Sequence, residues 1–482
     1  MIIEQRIYKH AVSTPGKIAV IMGSETVTYA ELWGKIGRAA SYFKAQGLQE
    51  GSRILLSATK EIKFLYSYFG AHLAGLICVP IDSETNPVRL KRIVDCSKPA
   101  MMIGSLNHKG EYRVTSFDEV ASDNFFMECF PSEDRIADLL FTTGTTGLPK
   151  GVGLSFRNLW FAASQINTFI GNTAEDIELL ALPISHSFGL GRVRCVLQKG
   201  GTLVLIPGFA SMKKFYGELE RCRCTGFGMV PASWAYISKL SGDRIGQYAS
   251  QIKYIEIGSA AMPMVEKQRL MSLLPDTRIC MHYGLTEASR SAFINFHNHK
   301  EMLFSVGKAT PGVDIRVFGE NGRMVENGAE GEICVKGGHV CSCYWGQSDE
   351  IFAKDFHQDY FRTGDFGTMD ENGFISLRSR IKELINVGGK KVSPIEVEEE
   401  LNKLVGIEES ACIGVEDPVY GEVVKAFIVG TITPADDERI KREMINLVES
   451  YKVPVYIEHV AEIPKTQNGK IQRLLLKAED YD

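Results

Sequence analysis

Residues Phe141 to Val152 read FTTGTTGLPKGV, small hydroxyl side chains and glycines closing on a lysine. Glycine lets a backbone take positive φ and approach a ligand closely. The hydroxyls of Thr142, Thr143, Thr145 and Thr146, the amides around Gly144 and the ammonium of Lys150 form a donor set suited to phosphate oxygens. The spacing excludes a Walker A loop, because Lys150 stands between Pro149 and Gly151 instead of between Gly and Ser or Thr. A Gly/Thr-rich surface hairpin would use the same composition.

Four further segments carry comparable chemistry. Tyr283-Gly284-Leu285-Thr286-Glu287 combines a flat aromatic face for a base, a hydroxyl for a phosphate and a hard carboxylate ligand for Mg2+. A strand-to-helix turn capped by the glutamate explains it equally well. In Phe361-Arg362-Thr363-Gly364-Asp365 the aspartate can accept from two vicinal ribose hydroxyls, or make an Asx-turn between strands. The run Arg378 to Glu398 holds Gly388 and Gly389, a side-chain-free lip for a slender ligand arm or a solvated hairpin. Near the end, Lys470 sits on the loop PKTQNGK, placed to stabilise developing phosphate charge if that loop can reach it.

The elements around these segments alternate. Leu139 to Phe141 read as a short buried strand before the first loop. Thr28 to Gln46 has helical periodicity, with Thr28 as N-cap and Glu31 at the capping-box position. Strand-like Arg53 to Leu56, helical Lys60 to Leu73 and strand-like Leu76 to Ile81 follow, then strands at Leu179 to Pro183, Thr202 to Ile206, Gly226 to Pro231, Tyr254 to Gly258 and Arg278 to His282. Such alternation implies a largely parallel sheet covered by helices. After Gly307 short β-rich runs bounded by turns, Ile315 to Val317, Gly331 to Val335 and Gly373 to Leu377, predict a smaller, mainly antiparallel unit. A third section from about Ile381 predicts a helix at Pro394 to Lys403, strands at Ser410 to Val415 and Val424 to Val429, and a helix at Asp437 to Tyr451.

The totals narrow the class. A chain of 482 residues exceeds one compact core, so two or three domains are expected. A hydrophobic share of 44% and a charged share of 23% are those of a soluble globular protein, and a formal net charge of -5 offers no basic footprint for nucleic acid. The N-terminus lacks a signal-peptide core and no stretch has membrane-helix length, so a cytoplasmic protein without integral membrane association is expected. The eleven scattered cysteines lack zinc spacing and read as reduced thiols.

In their order along the chain these motifs resemble the adenylate-forming superfamily: acyl- and aryl-CoA ligases, firefly-type luciferases and peptide-synthetase adenylation domains. The resemblance runs from about residue 10 to the end and is closest in look to fatty or aromatic acid–CoA ligases. FTTGTTGLPKGV is similar to the family's phosphate loop, YGLTE to its adenine and metal motif, and FRTGD to its ribose motif. RIKELINVGGKKVSP resembles the hinge and thioester-side loop, and PKTQNGKIQR the catalytic-lysine motif.

The resemblance implies a mixed α/β fold: a large N-terminal adenylation domain, 1–380, with helix-flanked sheets and a β-rich subdomain at about 308–380, then a small mobile α+β lid, 381–482, hinged near Lys382. It implies that a carboxylate attacks the α-phosphate of MgATP and that a thiol then takes the acyl group from the adenylate, the lid rotating in between. Thr142, Thr143, Gly144, Thr145, Thr146 and Lys150 would cradle the β- and γ-phosphates. Tyr283 would lie against adenine, Thr286 would touch the α-phosphate and Glu287 would bind Mg2+. Asp365, helped by Arg380, would hold the ribose, Lys470 would drive adenylation, and Gly388 and Gly389 would line the pantetheine path. Phe156, Thr143, Ser379 and Asn386 depart from the commonest pattern, and none removes a group essential to adenylation. Phe156, where relatives usually have histidine, weakens any role for a histidine at that wall of the acyl pocket.

Leu182 to Leu190, LPISHSFGL, resembles the segment lining the carboxylate side of the pocket, with His186 either touching substrate or packed in the core. No acidic residue occurs between Pro183 and Gly191. A buried substrate ammonium there would lack a partner, at a cost on the order of several kcal/mol. Amino acids are therefore disfavoured, and a fatty or aromatic acid is expected. Gly258, Ser259 and Ala260, with GMVPASW from Gly228, would form the rest of the pocket and leave room for a ring or chain. The expected activity is an AMP-forming acid–CoA ligase using ATP, Mg2+ and coenzyme A. With no carrier domain expected behind Lys470, the alternative is loading a free carrier protein through its phosphopantetheine. A luciferase-type oxidase and a catalytically silent nucleotide-binding protein are the remaining readings, the latter disfavoured by the intact Lys470, Glu287 and Asp365.

Overall fold

The computed structural model describes residues 1–108, 112–125, 130–143, 149–465 and 471–477. The chain divides into two compact units, Met1–Ile315 with Val335–Phe361, and Arg316–Cys334 with Arg362–Asp482. It passes between them inside three strands, Asp314–Phe318, Gly331–Lys336 and Tyr360–Met369.

The first unit is built on two sheets. Six neighbouring strands of the nine-stranded sheet run parallel, in the order Arg278–Tyr283, Tyr254–Ile257, Gly226–Met229, Ile177–Leu180, Thr202–Leu205 and Ile18–Met22. Antiparallel strands close its edges, Ala292–Asn295 and Lys308–Ala309 on one side and Glu25–Thr28 on the other. Tyr254–Ile257 and Gly226–Met229 are buried at every position, as strands covered on both faces must be. The expected parallel sheet is present. Gly226–Met229 is shorter than the pattern suggested because Pro231 opens helix Pro231–Ser241 at a position where its missing N–H costs nothing.

The six-stranded sheet sets Ile136–Thr143 parallel to Ile77–Ile81, and that strand parallel to Arg53–Ser57. Ile136–Thr143 turns back antiparallel into Pro149–Ser155, with Leu140 opposite Val152 and Thr142 opposite Lys150. Against helix Tyr29–Ala45, the Thr28 hydroxyl accepts from the Glu31 amide at 3.2 Å while the Glu31 carboxylate accepts from the Thr28 amide at 2.8 Å, the expected capping box.

In the second unit Tyr360–Met369 pairs antiparallel with Ile375–Arg380, setting Asp365 opposite Arg380. A separate sheet orders Lys390–Val392, Ile385–Val387, Gly421–Gly430 and Ile407–Asp417, with Tyr456–His459 parallel to Gly421–Gly430. Helices Pro394–Leu401 and Asp437–Ile445 bury Val397, Leu401, Ile440 and Met444 against Val424, Ala426 and Ile428. Helix Asp437–Ile445 stops short of the expected Tyr451, where the Asn446 amide bonds Glu443 in a tighter turn.

Candidate active site

Four adjacent parallel strands, Ile177–Leu180, Gly226–Met229, Tyr254–Ile257 and Arg278–Tyr283, end at one edge of the large sheet. The segments leaving that edge are those singled out from sequence: the stretch to His186, the turn into helix Pro231–Ser241, Gly258 to Ala260, and Gly284 to Glu287. Open α/β sheets bind ligands at such carboxyl ends. The Gly284 to Arg290 segment forms a loop between antiparallel strands, so Glu287 does not cap a helix. Tyr283 is buried at the strand end; Thr286 is half-buried.

Beneath this edge lies a buried, charge-balanced network. Glu256 accepts from Arg290 Nε at 3.0 Å and Arg192 Nη1 at 3.1 Å; Glu178 accepts from Arg192 Nε at 2.8 Å and Tyr254 OH at 2.7 Å. His282 Nδ1 lies 2.8 Å from Glu256, off the hydrogen-bonding line. Burial pushes the His282 pKa down against the pull of Glu256. The Arg290 guanidinium also donates to the carbonyls of Ser187 and Phe188, each at 3.0 Å. One side chain thus ties the Gly284 to Arg290 loop to the start of helix Ser187–Lys199. Gly258 was expected to open space, but the His282 ring fills it: a β-carbon there would lie 2.1 Å from the imidazole. Ser259, next along, has a left-handed φ of 75°, a strained conformation for a side-chain-bearing residue.

The hairpin supplies the other wall. Lys150 Nζ lies 3.1 Å from the centroid of the Tyr344 ring and 3.6 Å from Asp355 Oδ2. The Tyr344 hydroxyl donates to Glu287 Oε1 at 3.2 Å. Lys150 and Glu287 are therefore brought together through one aromatic residue. Glu287 is half-buried, and its Oε2 takes no hydrogen bond from the described residues. A hard oxygen so presented fits Mg2+, which binds through one or two carboxylates plus substrate phosphates. Thr142 stands opposite Lys150 in the hairpin, and Thr143 ends its strand. Gly144, Thr145, Thr146 and Lys470 lie outside the described residues.

His186 is not a packed core histidine. It is exposed at the N-cap of helix Ser187–Lys199 and its side chain makes no capping bond. Surrounding protein still disfavours its charged form, with Asp82 pulling its pKa up and Arg89 pushing it down. Asp82 follows strand Ile77–Ile81, so space brings near His186 an acid that the local sequence lacks. The same corner holds Lys60, which donates to the carbonyls of Ala181 and Pro207 at 2.5 Å each. Burial lowers the Lys60 pKa to about 8 against the pull of Asp82. Lys60 and Arg89 against one carboxylate leave the corner cationic at neutral pH.

In the second unit Asp365 lies within its strand, so it is no Asx-turn residue. Arg380 Nε pairs with Asp365 Oδ1 at 2.7 Å, and Nη1 donates to the Thr363 carbonyl at 3.0 Å. Gly388 and Gly389 form a two-residue hairpin between Ile385–Val387 and Lys390–Val392, with φ of 58° and 84°. Positive φ at both central positions is a type I′ requirement that glycine meets without strain. Lys382 is exposed in the short turn Ile381–Glu383.

Sequence reasoning missed Tyr344, Asp355, Glu256, His282 and Arg290. Tyr344 stands 57 residues from Glu287, and no spacing rule joins positions so distant. The one signal available was Glu256, a charge inside the otherwise apolar strand YIEI.

Residues 7–345 match the family model described as AMP-binding enzyme, and residues 396–470 that described as AMP-binding enzyme C-terminal domain. The first match spans most of the chain, which belongs to the AMP-binding enzyme family. A feruloyl-CoA synthase of an Amycolatopsis species is 29% identical over 480 residues, with 96% of each chain covered. ATP-bound MatB from Rhodopseudomonas palustris superposes with a TM-score of 0.88 at 26% identity, covering 99% of this chain and 98% of that one. The o-succinylbenzoate CoA synthetase MenE from Bacillus subtilis, in complex with its acyl-adenylate intermediate, gives 0.87 at 25% identity, covering 98% and 97%. The mixed α/β fold, with a large N-terminal and a smaller C-terminal part, is that of these structures. Among the described residues no helix is long and apolar enough to cross a membrane.

Proposed function

We propose that this protein is an ATP-dependent, AMP-forming acid–CoA ligase acting on a fatty or aromatic carboxylic acid. The observation that carries the reading is the joining of Lys150 and Glu287 through Tyr344, beside the strand ends that carry the pocket segments. A phosphate-binding cation and a metal-binding carboxylate so placed suit transfer at a polyphosphate.

The acid's carboxylate attacks the α-phosphorus of ATP, the bond to the bridging oxygen of pyrophosphate breaks, and the acyl-adenylate remains. When bound, Mg2+ supplies charge neutralisation at the phosphates. Thr142 through Thr146 and Lys150 hold the β- and γ-phosphates, Thr286 the α-phosphate, Glu287 the metal and Tyr283 the adenine. Asp365, oriented by Arg380, accepts from the ribose hydroxyls. Lys470 stabilises charge developing in the first step. The lid, 381–482, then turns about Lys382 and brings the Gly388–Gly389 lip to the pantetheine arm. The thiol sulfur attacks the acyl carbon and AMP leaves.

The cationic corner of Lys60 and Arg89 disfavours a substrate ammonium, and so supports an acid without an amino group. Pyrophosphate release with a panel of fatty, benzoic, cinnamic and amino acids tests the reading. Release with a fatty or aromatic acid, and a thioester detected by mass only when CoA is added, is expected. Release only with amino acids, or with none despite ATP binding, would refute it. An adenylate left unconsumed by CoA but taken up by a phosphopantetheinylated carrier would move the acceptor to a free carrier protein.

A further inference from the structure

The segment Val340 to Tyr344 holds Glu287 at two points, and the residue that reaches its carboxylate also seats the hairpin lysine. The Cys341 amide donates to the Glu287 carbonyl at 2.7 Å, and Ala288 bridges antiparallel to Val340. This fixes the backbone of the loop. The side chain is fixed separately, by the Tyr344 hydroxyl on Oε1 at 3.2 Å. Strand Cys343–Tyr344 is itself paired with the hairpin strand Pro149–Ser155, Tyr344 opposite Val152. Asn158 anchors the segment, donating to the carbonyls of Gly338 and Val340 at 2.9 and 2.8 Å. Tyr344 is 4% exposed and packs edge-on against Phe352 at 5.3 Å.

We infer that Tyr344 is a positioning residue for metal-nucleotide binding. Its hydroxyl turns the Glu287 carboxylate so that Oε2 faces the metal, and its ring face seats Lys150 on the phosphate side. The inference rests on the reading of Glu287 as the metal carboxylate. A hydroxyl donating to one oxygen of a carboxylate leaves the other for the cation and restricts rotation about the terminal bond, as outer-shell partners of metal ligands do. The aromatic face attracts an ammonium without neutralising it, so the ring seats Lys150 while, among the described residues, only Asp355, at 3.6 Å, competes with phosphate oxygens for its charge. The two halves of Tyr344 therefore act on different ligands, and separate substitutions remove them.

Tyr344→Phe keeps the ring and loses the hydroxyl; Tyr344→Leu loses both. Mn2+ binding is read by electron paramagnetic resonance with α,β-methylene-ATP present, and pyrophosphate release is followed against Mg2+ and ATP concentrations. Phe352→Leu, which disturbs the same packing without touching Glu287, is the control, and thermal melting checks each variant's fold. Expected is a loss of about tenfold in Mn2+ affinity for Tyr344→Phe, the low end for an outer-shell hydrogen bond. Its pyrophosphate release should recover at excess Mg2+, with KM for ATP then unchanged. Tyr344→Leu should add a rise in KM for ATP that excess Mg2+ does not relieve, and Phe352→Leu should bind Mn2+ like wild type. Wild-type Mn2+ binding by Tyr344→Phe would overturn the inference, as would an equal loss in Phe352→Leu. Failure of the wild-type protein to bind Mn2+ with the nucleotide would overturn the metal assignment of Glu287, and the inference with it.

Discussion

Replacing Gly258 with alanine tests whether the packing at the strand ends is as tight as the geometry says. The added β-carbon would lie 2.1 Å from the His282 ring, whereas ordinary contact begins at about 3.4 Å, so the imidazole must retreat by about 1.3 Å. It is boxed in by Phe188 and Phe293, with ring centroids at 4.6 and 5.7 Å, and stands 2.8 Å from Glu256. Retreat opens that last contact and removes one of three neighbours from a fully buried carboxylate. Overpacking of this kind costs about 1–3 kcal/mol. For a unit of this size that corresponds to a melting temperature lower by roughly 1–4 °C. Removing the obstacle should remove the cost, so in an His282→Ala background Gly258→Ala should cost below about 0.5 kcal/mol. Calorimetry of the wild type, both single variants and the double variant gives the coupling, and ATP–pyrophosphate exchange follows the consequence for the site. If Gly258→Ala melts and exchanges like the wild type, or costs the same in both backgrounds, the close approach of His282 to Gly258 is not a constraint and the reasoning fails.

Lys470→Ala should abolish acid-dependent pyrophosphate release while largely sparing thioester formation from pre-made acyl-adenylate; equal loss of both halves, measured separately, would refute the two-conformation scheme. Asp365→Ala should raise KM for ATP by about 10- to 100-fold, the range for hydrogen bonds to a charged group, and an unchanged KM in steady-state assays would remove the ribose role. His339 is buried, and burial lowers its pKa from 6.5 to about 4. The unfolded chain therefore binds a proton more readily, so stability from this residue is complete above pH 6.5 and lost as pH falls toward 4, by up to about 3 kcal/mol. His339→Gln should flatten that acid limb in urea denaturation followed from pH 7 to 4, and an unaltered limb would contradict it.

The alternation of helix and strand was legible because the parallel strands are covered on both faces and read as short apolar runs such as TLVL, fully buried. The Thr28–Glu31 cap was equally legible, its determinants lying three residues apart. What escaped depends on groups far apart in sequence. Glu256 inside an apolar strand reads by alternation as solvent-facing, yet it is buried because Arg290 and Arg192 reach it from 34 and 64 residues away. Small residues at Gly258 to Ala260 imply room only until the neighbouring strand places His282 over Gly258. The lack of an acid near His186 in sequence likewise did not survive folding, since Asp82 arrives from the other sheet.

The balanced floor of Glu178, Glu256, Arg192 and Arg290 bears on how such a chain can diverge. Losing any one of the four strands an uncompensated charge where no water can screen it, whereas exchanging an acid and a base together for apolar residues of like volume can be tolerated. Evolutionary drift at these positions should therefore proceed by correlated exchange, while loops above the same strand ends, free of that bookkeeping, can vary one residue at a time.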